Sequence, residues 1–159
     1  TLGINTGYRA NELLSLKVRH VKYLEINQVL EIYQSKTKKY RRVIINESVY
    51  KSIHKYLNTI DITDDEPLFR SQQGWRDKPK SISVQALNLL IKRWCADCGL
   101  QGNFGTHTLR KTWGYHQRKH NNVPLHTLMF AFGHSNPRQT MDYLCMQEKE
   151  VEELFKYEI

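Results

Sequence analysis

The sequence lacks several features that would assign it quickly, and each absence narrows the field. No stretch approaches the ~20 apolar residues of a membrane-spanning helix, and no basic amphipathic helix stands out for a membrane surface. A glycine-rich nucleotide loop is missing, so ATP is not implied. Internal repeats and low-complexity tracts are missing too, which sets aside repeat arrays. Cysteine is scarce: there are three, an odd number, and no signal-peptide pattern. That combination points to reduced thiols in a cytoplasmic compartment and away from a disulfide framework. Cys95 and Cys98 form a CxxC on a helical stripe. No second Cys or His pair offers the two further ligands of a zinc site, so they read as buried thiols and no metal is expected.

Positive charge, by contrast, is plentiful. Lys plus Arg outnumber Asp plus Glu by 24 to 16, a net charge of +8 over 159 residues. A surplus of this kind concerns partners and not fold, and double-stranded DNA is the natural one. The length suits one domain with a real core, so residues 1–159 are expected to form a single domain. The chain starts at Thr1 without an initiator methionine and reads as a fragment of a longer protein.

Taken in order, the opening segment predicts the end of one helix, a turn at Thr6 and Gly7, and a second helix with Arg9 in its first turn and Leu13, Leu14 and Leu16 facing a core. From Val21 to Asn46 the period shortens toward two, and VKYLEI, VLEIYQ and RRVIIN predict a small three-stranded antiparallel sheet. Lys36, Lys38, Lys39, Arg41 and Arg42 crowd the second hairpin, a charge run that on composition alone is a solvated, phosphate-attracting face. Asn46 caps an expected helix over Glu47 to Asn58. Loops follow around a short PLF segment, with Trp75 a candidate for stacking on DNA. Ser83 to Cys98 predicts a long helix with Val84, Leu87, Ile91, Trp94, Cys95 and Cys98 on one stripe, ended by Gly99.

The run from Phe104 to Tyr143 concentrates chemistry. If Thr106 caps a helix starting at His107, then His107 and Arg110 share one side of its first turn, where unsatisfied backbone N–H groups also favour an anion. Pro124 suits the first turn of a helix with the apolar stripe Leu125, Leu128, Met129 and Phe132, and Gly133 ends it, leaving His134 just past the helix. Asn136 and Pro137 read as the cap and first residue of another helix, which brings Tyr143 about two turns along.

HTLR, then GHS, then a tyrosine nine residues after that histidine resembles the signature of the tyrosine recombinases, the phage integrase family. TGYRANELLSL resembles the family's first arginine box, and QSKTKKYRRVII its lysine-bearing hairpin. The resemblance spans essentially the whole chain. It implies a mainly helical catalytic-domain fold with a small antiparallel sheet and with the N-terminal DNA-clamping domain absent. Site-specific DNA recombination through a 3′-phosphotyrosine intermediate follows, with no cofactor.

By the same resemblance the catalytic set is Arg9, Lys36, His107, Arg110, His134 and Tyr143, with Glu12 in support. Arg9 and Arg110 would clamp the phosphate, His107 and His134 would add hydrogen bonds or proton transfer, Lys36 would protonate the departing 5′-oxygen, and Tyr143 would attack. Within the hairpin only the resemblance singles out Lys36, and Lys38 or Lys39 stays open. Lys38, Lys39, Arg41, Arg42 and Lys111 are expected DNA contacts. Residues 147–158, with Val151, Leu154 and Phe155 on one face, form an expected docking helix, which the family exchanges between protomers assembled as a tetramer on paired sites. Accessory DNA-bending or directionality factors belong to the same picture, in a prokaryotic cytoplasm on nucleoid DNA. Two alternatives remain open: a catalytically silent DNA-binding module of the same fold, and a type IB topoisomerase-like relaxing enzyme.

Overall fold

The computed structural model describes residues 1–34, 39–71, 79–144 and Lys156. The chain divides into two compact units, Thr1–Arg110 and Lys111–Ile159.

The first unit opens with two short helices, α1 (Leu2–Thr6) and α2 (Ala10–Leu14), separated by Gly7 at φ 59°. A 3₁₀ turn over Val18–His20 follows, then strands β1 (Val29–Gln34) and β2 (Lys39–Ile44). Helix α3 (Glu47–Leu57) begins where the Asn46 side chain accepts a hydrogen bond from the Val49 amide. Helix α4 (Val84–Asp97) begins in the same way, with Ser83 accepting from Ala86. Each cap satisfies one of the amides that a helix start leaves open. Tyr8, Leu16, Val18, Leu30, Val49, Leu68, Leu87 and Ile91 form the centre of this unit's core.

Among the described residues the sheet has two strands, not the expected three. VKYLEI does not extend. The Val21 and Lys22 amides both donate to the Val18 carbonyl, at 3.0 and 2.9 Å, and close the chain into turns. Val21 is buried while Tyr23, which would share its face in a strand, is 67% exposed, so the segment serves a compact turn instead. The remaining hairpin runs in register from Val29 opposite Ile44 to Gln34 opposite Lys39. Leu30 and Ile32 face the core, while Tyr33 and Tyr40 pair across the outer face with ring centres 5.2 Å apart.

On α4 the stripe is only partly buried: Leu87 and Ile91 are covered, Trp94 is 53% exposed and Cys98 is exposed. The expectation of a buried thiol therefore fails at Cys98, the C-cap residue just past α4, whereas Cys95 is half-buried against the core of this unit.

Helix α5 (Thr106–Lys119) starts one residue earlier than expected. Thr106 lies inside the helix and not at its cap. The Gly105 amide donates to Thr108 Oγ1 at 3.0 Å, and the Thr106 amide to Asn88 Oδ1 at 3.1 Å, so α4 supplies part of the cap.

The second unit contains the rest of α5 with α6 (Leu125–Phe132) and α7 (Pro137–Tyr143). Leu128, Phe132 and Leu144 form its buried centre, packed by Trp113, Val123, Leu125 and Tyr143. Gly114 allows the approach: a Cβ there would lie 2.3 Å from Phe132 Cζ and 2.7 Å from Leu144 Cδ2. No helix among the described residues is long and apolar enough to cross a membrane.

Candidate active site

In the first unit, Arg9 occupies the N-cap of α2, one position before the helix it was expected to enter. Its backbone amide donates to Glu12 Oε2 at 2.7 Å, and its Nη1 to Glu12 Oε1 at 3.1 Å. A carboxylate in the first turn of a helix suits the partial positive charge there, and here it also fixes the guanidinium. Arg110 is 2% exposed, and its Nη1 donates to the Gly7 carbonyl. The left-handed backbone at Gly7 ends α1 and places that carbonyl beside α2 and α5 within this unit.

Arg9, Thr106, His107 and Arg110 share the lining of a depression of about 180 Å³ with Ala10, Asn11 and Val84. Two guanidiniums, an imidazole and the N-terminal turn of α5 thus meet around one small space. Planar forks of this type match the oxygens of a phosphodiester better than a lysine does. Tyr8, beside this seat in sequence, is buried, its hydroxyl donating weakly to the Leu30 carbonyl at 3.4 Å. Burial pushes that hydroxyl's pKa well above the ordinary value, which holds it protonated and makes it a poor nucleophile.

Arg41 turns inward. Its Nη2 donates to Gly7 at 2.9 Å, and its side chain is 12% exposed. Arg42 points outward, with Nε 3.3 Å from Glu31 Oε1 across the hairpin. Lys36 and Lys38 lie outside the described residues, and so do the Lys39 side chain, Trp75 and, Lys156 excepted, the expected docking helix at 147–158.

In the second unit, Gly133 ends α6 at φ 64°. The His134 amide returns to the Met129 carbonyl at 3.0 Å and that of Gly133 to Phe130 at 2.9 Å, the paired bonds of a left-handed helix terminus. His134 is thereby set at a fixed exit angle. Its ring stacks on Phe132 at 5.1 Å and 22°, and its Nδ1 lies 3.0 Å from Thr140 Oγ1. Asn136 caps α7 by accepting from the Arg138 amide, with Pro137 at the start of the helix as expected. Tyr143 closes α7, its ring centre 5.3 Å from that of His134 at 77°. Lys111 Nζ sits 5.4 Å from the centre of the Tyr143 ring.

The structure thus assembles Arg9, Glu12, His107 and Arg110 in one unit, and Lys111, His134 and Tyr143 in the other. Sequence reasoning missed Thr140, which is fully buried against His134, and the Gly7 carbonyl that holds Arg110. Neither left a signal: an uncharged threonine within a helix and a backbone oxygen look ordinary in sequence.

Comparison with known proteins places these features. The chain is 37% identical to the probable integrase/recombinase YoeC of Bacillus subtilis strain 168, over 97% of this chain and 79% of that protein. It is 28% identical to the tyrosine recombinase XerC of Caldanaerobacter subterraneus subsp. tengcongensis, over 96% of this chain but 42% of that protein. Among solved structures, the XerA recombinase matches with a TM-score of 0.75 at 22% identity, covering 98% of this chain and 53% of its own. The XerH site-specific recombinase, bound to palindromic difH substrate in a post-cleavage complex, matches with a TM-score of 0.70 at 24% identity, covering 96% of this chain and 42% of its own. The model of the phage integrase family matches residues 1–150, and the chain belongs to that family, the tyrosine recombinases.

Proposed function

We propose that this chain is the catalytic part of a tyrosine-type site-specific DNA recombinase. One observation carries the reading: Arg9, His107 and Arg110 line a single small depression, with Arg9 held by Glu12, Arg110 by the Gly7 carbonyl, and His107 carried on the first turn of α5. The net charge of +8 supports double-stranded DNA as the partner.

In the proposed step, Tyr143 Oη attacks a DNA phosphorus, so that a phosphorus–oxygen bond to tyrosine forms and the bond to the 5′-oxygen breaks. The free pKa of tyrosine is about 10, so the hydroxyl must give up its proton during attack, and His107 takes it. Negative charge growing on the non-bridging oxygens meets Arg9 and Arg110, with His134 adding a hydrogen bond. Lys36 delivers a proton to the departing 5′-oxygen. The products are a 3′-phosphotyrosine and a free 5′-hydroxyl, and attack by another 5′-hydroxyl reverses the exchange. Only side chains of this chain enter the balance.

Recombination further requires pairing of two sites. On this reading the partners are further copies of the protein, four on paired sites, with residues 147–158 docking between protomers. Accessory DNA-bending or directionality factors would set the outcome, and a prokaryotic cytoplasm is the setting. The test is incubation with a nicked suicide DNA followed by denaturing electrophoresis. A covalent protein–DNA band with a free 5′-hydroxyl on the released strand is expected, whereas DNA binding without that band contradicts cleavage and supports a silent binding module.

A further inference from the structure

Arg41 stands in the densest cationic run of the chain, yet it is not a surface residue. Its side chain is 12% exposed, whereas that of the adjacent Arg42 is 68% exposed. Strand alternation accounts for this: Arg41 and the partly buried Val43 share the inward face of β2, and Tyr40, Arg42 and Ile44 share the outward one. Arg41 pairs with Ile32, which is itself buried.

The partners of this guanidinium are specific. Its carbon lies 5.2 Å from the centre of the buried Tyr8 ring, and Nη2 reaches the carbonyls of Gly7 at 2.9 Å and Thr6 at 3.4 Å. Nη1 lies 3.5 Å from Glu12 Oε2. Two of these acceptors are shared. The Glu12 carboxylate also holds Arg9, and the Gly7 carbonyl also holds Arg110. Arg41 therefore has one acceptor in common with each arginine of the depression, without being one of its lining residues.

We infer that Arg41 is a positioning residue for strand cleavage, acting through Glu12 and the Gly7 carbonyl on the aim of Arg9 and Arg110, and not a phosphate contact. The inference rests on the reading of the chain as a DNA-cleaving enzyme. Two physical effects combine. A second cation on Glu12 divides its negative charge, so Arg9 keeps more of its positive field for a phosphate. The rigid fork of an arginine also spans several acceptors at fixed angles, which the single ammonium of a lysine cannot do. Because β2 begins three residues after Lys36, the same contacts tie the base of the lysine hairpin to the arginine seat.

The experiment compares wild type, Arg41→Gln, Arg41→Lys, Glu12→Gln and the Arg41→Gln/Glu12→Gln double variant for DNA affinity and for the rate of covalent adduct formation. Arg41→Gln is expected to slow adduct formation about a hundredfold, the scale of a small misplacement at a reacting centre. Affinity should stay within about threefold, because a covered side chain contributes little counterion release. Arg41→Lys should fall between wild type and Arg41→Gln. The double variant should be no slower than the slower single one, since both changes break the same link. An adduct rate for Arg41→Gln within about threefold of wild type overturns the inference. So does multiplication of the two single effects, or affinity falling in step with rate. If Arg41→Gln does not fold, the charge-preserving Arg41→Lys carries the comparison, and a wild-type rate there is equally fatal. A wild-type chain that forms no adduct overturns the enzymatic reading as well, which separates the two failures.

Discussion

His134 and Tyr143 meet edge to plane, with ring centres 5.3 Å apart and planes inclined by 77°, and Phe132 supports both. A helix stop and a helix start produce the arrangement. Gly133 aims the histidine, Asn136 and Pro137 begin the next helix, and Tyr143 arrives at that helix's end. The pair is therefore built from backbone geometry and from aromatic packing.

Thr140 should control how well His134 functions. Its buried hydroxyl lies 3.0 Å from His134 Nδ1, and Thr140→Val keeps the shape while removing that partner. Leaving a polar group unmatched costs roughly 1–3 kcal/mol, so adduct formation should slow about tenfold. Thr140→Ser, which restores the oxygen, should recover most of the rate. Equal rates for the valine and serine variants would remove the hydroxyl from the account.

Gly114 should be intolerant of any side chain. The Cβ of Gly114→Ala would press on Phe132 and Leu144, the centre of the second unit's core, with little room for either to move. Overpacking of this kind costs about 1–3 kcal/mol. Urea denaturation should show a lower midpoint, and adduct formation should fall with it because Phe132 supports both His134 and Tyr143. An unchanged midpoint would mean that α5 and α6 can separate without cost.

Much of this arrangement was legible in the sequence because local rules govern it. Asn46 and Asn136 each cap the helix assigned to them, Ser83, read as the first residue of its helix, caps it from one position before, and Gly133 stops α6. Other features depend on tertiary context. The run VKYLEI fits a strand by its pattern, and only the bonds from Val21 and Lys22 back to the Val18 carbonyl turn its start. Arg41 is hidden in a charge run, where composition predicts a solvated face and strand alternation turns one member inward. The cap of α5 needed Asn88, eighteen residues before Thr106, which no short motif announces.

Lys36→Ala should separate proton donation from binding. Loss of a general acid slows a reaction by about 10²–10⁴-fold, but a 5′-bridging sulfur leaves as a thiolate without needing that proton. Adduct formation should therefore fall by that range on ordinary DNA and by less than about tenfold on the sulfur-substituted strand, a tolerance set well below the loss of a general acid. If Lys38→Ala or Lys39→Ala shows the selective rescue and Lys36→Ala does not, the donor is the other lysine.

The central claim is that Tyr143 becomes bonded to DNA, and mapping the adducted residue tests it most directly. Wild type and Tyr143→Phe are incubated with the suicide substrate, the products are resolved under denaturing conditions, and the DNA-linked peptide is identified by mass spectrometry. The expected result is a wild-type adduct on Tyr143, no adduct from Tyr143→Phe, and DNA affinity within about twofold for the two proteins, because only a hydroxyl is lost and the cationic surface that sets affinity is unchanged. An adduct of wild-type yield from Tyr143→Phe, or one mapped to Tyr115 or Tyr157, would contradict the account.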